Sequence, residues 1–99
     1  MDLGLDGFDW DTGNSTKCQS HGVSIAEIEA IFRGEPLVAP DLVHSADEDR
    51  LIAIGRNRAE RALFIAFTIR ERDGRRLIRS ITARYMHARE IRRYEATGS

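Results

Sequence analysis

Seven arginines crowd the last quarter of the chain: Arg75, Arg76, Arg79, Arg84, Arg89, Arg92 and Arg93. A guanidinium meets phosphate or carboxylate through a planar fork of N–H donors, so this composition suits an anionic ligand, either RNA or an acidic partner protein. Elsewhere His21, His44 and Glu48 can move protons, and Arg50 lies two residues beyond Glu48. These residue types are enough for metal-independent RNA cleavage. The substrate brings its own nucleophile, the ribose 2′-hydroxyl, and the protein must add a base, an acid and cations for the phosphorane-like transition state. In that chemistry Arg50, Arg79 and Arg84 hold phosphate while His21, His44 or Glu48 transfers protons. Each residue also has a structural alternative: His21 as a capping residue beside Gly22, Glu48 and Arg50 as a surface ion pair, Arg84 as the partner of an acid from the first half.

Further candidates for RNA contact are Lys17, Trp10 and Tyr85. Trp10 can stack a base, but Phe8 and Trp10 stand at i and i+2 in Gly7-Phe8-Asp9-Trp10-Asp11. Period-2 burial in a short edge strand already explains both, and a core aromatic is the favoured reading.

Other chemistries are poorly supported. Three histidines and one cysteine lack metal-ligand spacing, so no metal site and no cofactor are expected. There is no nucleotide-binding glycine loop and no Gly-x-Ser-x-Gly turn. Cys18 alone cannot form an internal disulfide and reads as a small packed thiol. No apolar run approaches the ~20 residues of a membrane span. The acidic start, Met1 to Asp11, does not resemble a signal peptide, and the cytoplasm is the expected location.

The net charge of −1 conceals a division. Residues 1–49 carry eleven acids against Lys17 and Arg33, whereas residues 50–99 carry thirteen arginines against five acids. Either the basic half meets an external anion or the two halves neutralise each other across the fold.

The elements that must position these groups fit one domain over residues 1–99, of the α+β class: an antiparallel β-meander with two N-terminal helices and a C-terminal helix. Residues 1–6 are expected to be loose. Residues 12–20 suit a short helix capped by Asp11 or Thr12 and leaving through His21-Gly22. Ser24-Ile25-Ala26-Glu27 is a capping box, and Ile25, Ile28, Ile31 and Phe32 mark the buried face of the helix it starts. Gly34 and Pro36 end that helix. Residues 36–40 are extended, 41–49 form a polar loop, and 50–55 a strand. Ala62 to Ile69 is the longest apolar run and reads as the central strand, buried on both faces. Asp73-Gly74 signals the hairpin into Leu77–Tyr85, where alternation puts Ile78 on one face and Arg79 and Ile81 on the other. A helix over about Met86 to Ala96 offers Ile91 and Tyr94 to the sheet, with His87 a third candidate.

Taken together, Phe8-Asp9-Trp10-Asp11, Asn14, Lys17, His21-Gly22-Val23, His44-Ser45, Glu48, Arg50, Ile54-Gly55, Ile81-Thr82-Ala83-Arg84, Glu90, Tyr94 and Glu95 resemble the BrnT toxin family. The resemblance implies a RelE-like fold and a ribonuclease toxin of a type II toxin–antitoxin pair that inhibits translation and growth. It also implies a BrnA-like antitoxin of ribbon-helix-helix type, through which alone DNA would be contacted. Two positions depart from the family pattern: Ser20 stands where Lys commonly precedes His-Gly-Val, and Thr82 where Ser is common. An inactive toxin acting as corepressor, or another non-enzymatic binding module, is the alternative.

Overall fold

The longest apolar run does become the middle of the sheet. In the computed structural model, which describes residues 5–41 and 50–98, the elements run β1 (Gly7–Phe8), α1 (Thr12–Gln19), α2 (Ile25–Arg33), β2 (Leu37–Pro40), β3 (Leu51–Arg56), β4 (Ala62–Arg72), β5 (Arg75–Tyr85) and α3 (Ala88–Gly98). The strands form one sheet in the order β1-β5-β4-β3-β2. β3, β4 and β5 make the expected meander. Asp73 and Gly74, both with positive φ, close the β4–β5 hairpin as a two-residue turn of this twist requires.

The sheet is mixed rather than purely antiparallel. β2 extends it antiparallel beyond β3, but β1 pairs parallel with β5, Gly7 against Leu77 and Phe8 against Ile78. A parallel neighbour needs a long crossover, and here most of the chain lies between the two strands. Leu5 packs against the core, and the Asp6 amide donates to the Arg76 carbonyl.

α1 and α2 cover one face of the sheet. Ala53, Leu63, Ile65, Phe67, Ile78 and Ala83 meet Cys18, Val23, Ile28 and Ile31 there, with Phe32 set edge-on between Phe8 and Phe67. Gly55 lets α2 come close: a Cβ at that position would stand 3.0 Å from the Ile31 side chain. Both capping boxes are present, Asp11 with Asn14 and Ser24 with Glu27. α1 has almost no apolar face, and instead docks by Asn14 and Cys18, its two buried residues, four apart on one side.

A bulge in β5 re-aims its side chains. Thr82 pairs with Ala66 but Ser80 pairs with Phe67, leaving Ile81 without a partner in the register. Ser80 and Ala83 therefore both face the helices, while Arg79, Thr82 and Arg84 share the opposite face. Simple alternation would have placed Ile81 beside Arg79; the bulge hands that position to Thr82.

The second face is covered only at one end, by α3. Ile91 and Tyr94 are half-buried, whereas His87 is exposed just before the helix. Between α3 and the sheet lies a groove of about 240 Å³ lined by Leu37, Ile54, Phe64, Met86, Glu90, Arg93 and Tyr94. No helix among the described residues is long and apolar enough to cross a membrane.

Candidate functional site

Arg79 lies beside Thr68 in the β4–β5 ladder and Arg84 beside Phe64. Both point to the face that α1 and α2 leave open, separated by four residues of β4 and so by roughly 13 Å along the strand. Such spacing suits two phosphate groups of one strand better than a single phosphate.

At the Arg79 end the chain leaves β1 and turns into α1. The Asp9 amide donates to the Ile78 carbonyl, and Asn14 Nδ2 donates to the Asp9 and Ser80 carbonyls, tying the turn to β5. Asp9 is buried at 7 % exposure beside Arg79, with Asp9 Oδ2 to Arg79 Nη1 at 3.6 Å. Asp11 is half exposed and closer, Oδ2 to Arg79 Nη2 at 2.8 Å, while its other oxygen accepts from the Asn14 amide. The Asn14 amide and then Arg79 hold the Asp11 carboxyl below its usual range. Next to this cluster a groove of about 240 Å³ is lined by Gly13, Asn14, Lys17, Arg79, Ser80 and Ile81. The structure thus brings Lys17 and Arg79 together. Cys18 lies beneath, its Sγ 3.1 Å from Ser80 Oγ, with burial raising the thiol pKa.

At the other end Arg84 stacks on Phe64, its guanidinium 4.5 Å from the ring centroid. It also grips Glu90 by both nitrogens, at 2.7 and 2.8 Å. Glu90 Oε1 accepts in addition from the His87 amide, closing the first turn of α3. These bonds, Arg84's first, hold the Glu90 carboxyl down at about 2, and they raise Arg84 in return. Arg84 does have an acidic partner, from α3 rather than from the acidic first half.

The remaining candidates are dispersed. Tyr85 turns to the helix side of β5, where its hydroxyl donates to Glu27 Oε2 at 2.9 Å and Arg61 lies over its ring at 3.6 Å. One face of that ring is therefore taken. Asn57 donates to the same Glu27 oxygen and is the main cause of that carboxylate's lowered pKa, while the Glu27 bond raises Tyr85. Trp10 packs against the core and donates Nε1–H to Glu29, which agrees with the core-aromatic reading. His21 is exposed beyond the end of α1, beside Gly22 in its left-handed conformation. Arg50 pairs with Asp41, Nε to Oδ2 at 3.8 Å. His44 and Glu48 lie outside the described residues.

The face opposite α1 and α2 therefore presents two arginines, Arg79 at its uncovered end and Arg84 beside α3, each already facing a carboxylate of its own chain. Asp9, Asp11 and Glu90 escaped sequence reasoning as partners because nothing local marks them; the i, i+4 pair Asn14 and Cys18, polar and small on a helix without an apolar stripe, was the one available hint of how α1 docks. Among the described residues no group of His, Cys, Asp or Glu is arranged to hold a metal ion. A protein-family model described as "Ribonuclease toxin, BrnT, of type II toxin-antitoxin system" matches residues 10–90. No curated protein matches the chain significantly.

Proposed function

The chain belongs to the BrnT family of type II toxin–antitoxin ribonuclease toxins, and from that membership we propose an endoribonuclease that lays RNA across the open face of its sheet. The observation that carries the placement is the pair Arg79 and Arg84 on one face, with Lys17 lining the groove beside Arg79. Both guanidiniums exchange a carboxylate partner for a phosphate oxygen when RNA enters, and their charge then opposes the negative charge that grows on the phosphorane. Arg50 supports them. His21 or Glu48 moves protons, as the base that takes one from the 2′-hydroxyl or the acid that gives one to the departing 5′ oxygen. Tyr85, turned to the helix side with its hydroxyl on Glu27 and its ring under Arg61, offers no open stacking platform to that face. Trp10 serves the core first. Ser20 offers no cation where the family commonly has one, which leaves Lys17 as the lysine available to RNA.

The fuller reading is a RelE-like domain over residues 1–99, acting without metal in the cytoplasm to block translation. A BrnA-like ribbon-helix-helix antitoxin neutralises it and carries the pair to DNA. The direct test is cleavage of a labelled RNA by purified, antitoxin-free protein in excess EDTA, with analysis of the new termini. Attack by the 2′-hydroxyl leaves a 2′,3′-cyclic phosphate and a 5′-hydroxyl. Termini bearing 5′-phosphate, or cleavage abolished by the chelator and restored by a divalent ion, overturn this mechanism.

One observation favours the alternative. Arg84 is held by Glu90 at two points, as an arginine with a purely structural or protein-binding task would be. A chain that binds its antitoxin tightly yet leaves RNA intact and growth unaffected is a non-enzymatic partner or corepressor.

A further inference from the structure

The two acids at Arg79 differ in ways that give them opposite roles. Asp9 is buried and anchored through its backbone to β5 and Asn14. Its Oδ2 is buried without a hydrogen bond and lies 3.6 Å from Arg79 Nη1, while its Oδ1 lies 3.8 Å from Arg72 Nη1. Asp11 has a side chain 53 % exposed and makes the short contact to Arg79 Nη2 at 2.8 Å. Its Oδ1 is separately occupied by the Asn14 amide, so Asp11 can yield Arg79 and still cap α1. The groove with Lys17 opens at this point.

We propose that Asp11 occupies, in the free protein, the place on Arg79 that an RNA phosphate takes, while Asp9 is the positioning residue that keeps Arg79 aimed at the groove. This rests on the ribonuclease reading above. A carboxylate and a phosphate oxygen engage a guanidinium in the same way, so only one of them can hold Nη2. The exposed acid leaves readily because solvent compensates it. The buried acid stays in place and remains as the counter-charge that fixes the guanidinium when Asp11, still capping α1, turns its other oxygen aside. Asp11 is thus a built-in competitor that screens out weak anions.

The test uses a fluorescent 2′-O-methyl RNA oligonucleotide, which lacks the nucleophile and so reports binding alone. Asp11→Asn keeps the cap, since Asn and Asp serve equally there, and is expected to tighten binding about two- to fivefold. Asp9→Asn weakens it. Asp73→Asn, in the β4–β5 turn, measures the general effect of removing one negative charge and is expected to fall short of Asp11→Asn. In an Arg79→Ala background the Asp11→Asn gain disappears. With cleavable RNA, Asp11→Asn lowers KM and leaves kcat unchanged. If Asp11→Asn matches Asp73→Asn, or its gain survives Arg79→Ala, the competitor role is overturned, whatever the folding of Asp9→Asn. If wild-type protein neither binds nor cuts RNA, the ribonuclease reading falls as well; if it does both and Asp11→Asn changes nothing, only the present inference falls.

Discussion

Tyr85 shows how a residue can stand beside a candidate site and belong to another network. It follows Arg84 directly, yet strand alternation sends it to the opposite face, where Glu27 receives its hydroxyl and Arg61 covers its ring. Its neutral form is the one that donates to Glu27, so its pKa is raised above the usual value near 10. Stability from this contact is therefore complete below that value and lost as pH rises through the higher folded one. Tyr85→Phe should cost about 1 kcal/mol at neutral pH and flatten the alkaline limb of a stability–pH profile measured by urea unfolding. RNA binding should change less than it does for Arg84→Ala. From sequence alone Tyr85 is a candidate RNA contact; its partner is fifty-eight residues away and cannot be seen locally.

At the scale of elements, Glu90 is one of the groups that attach α3 to the sheet, beside the half-buried Ile91 and Tyr94 and the Glu95–Arg56 pair. Its carboxylate caps the helix through the His87 amide and ties it to β5 through Arg84. The folded pKa of about 2 lies below the usual 4.5, so this contribution is present above about pH 4.5 and is lost as pH falls toward 2. Asp11 and Glu27, also lowered, act in the same direction. The difference between wild type and Glu90→Gln isolates the one group. We expect wild type to lead by about 1 kcal/mol at pH 6, allowing for solvent screening of a pair one-third exposed, and the lead to vanish near pH 2. A constant difference across that window would remove Glu90 from the account. Much at this scale was legible beforehand. Ser24 and Glu27, the apolar run of β4 and Asp73-Gly74 carry their structural meaning within a few residues. The parallel β1, the bulge at Ile81 and the polar docking of α1 through Asn14 are set by strands distant in sequence, and no local pattern announces them.

Across the whole molecule, the acidic and basic halves interlock at several points. Asp6 meets the backbone of β5, Asp9 and Asp11 meet Arg79, and Asp41 meets Arg50. The charge division thus serves internal neutralisation, one of the two readings the sequence left open. The proposed ribonuclease role has Arg79 and Arg84 acting on RNA together, one at each end of the face. It is tested most directly by the single-turnover cleavage rate of a labelled RNA for wild type, Arg79→Ala and Arg84→Ala, with each variant shown to be folded by circular dichroism. Each substitution should slow cleavage about 100-fold; folded variants that cut within twofold of the wild-type rate would rule out a joint role for the two arginines.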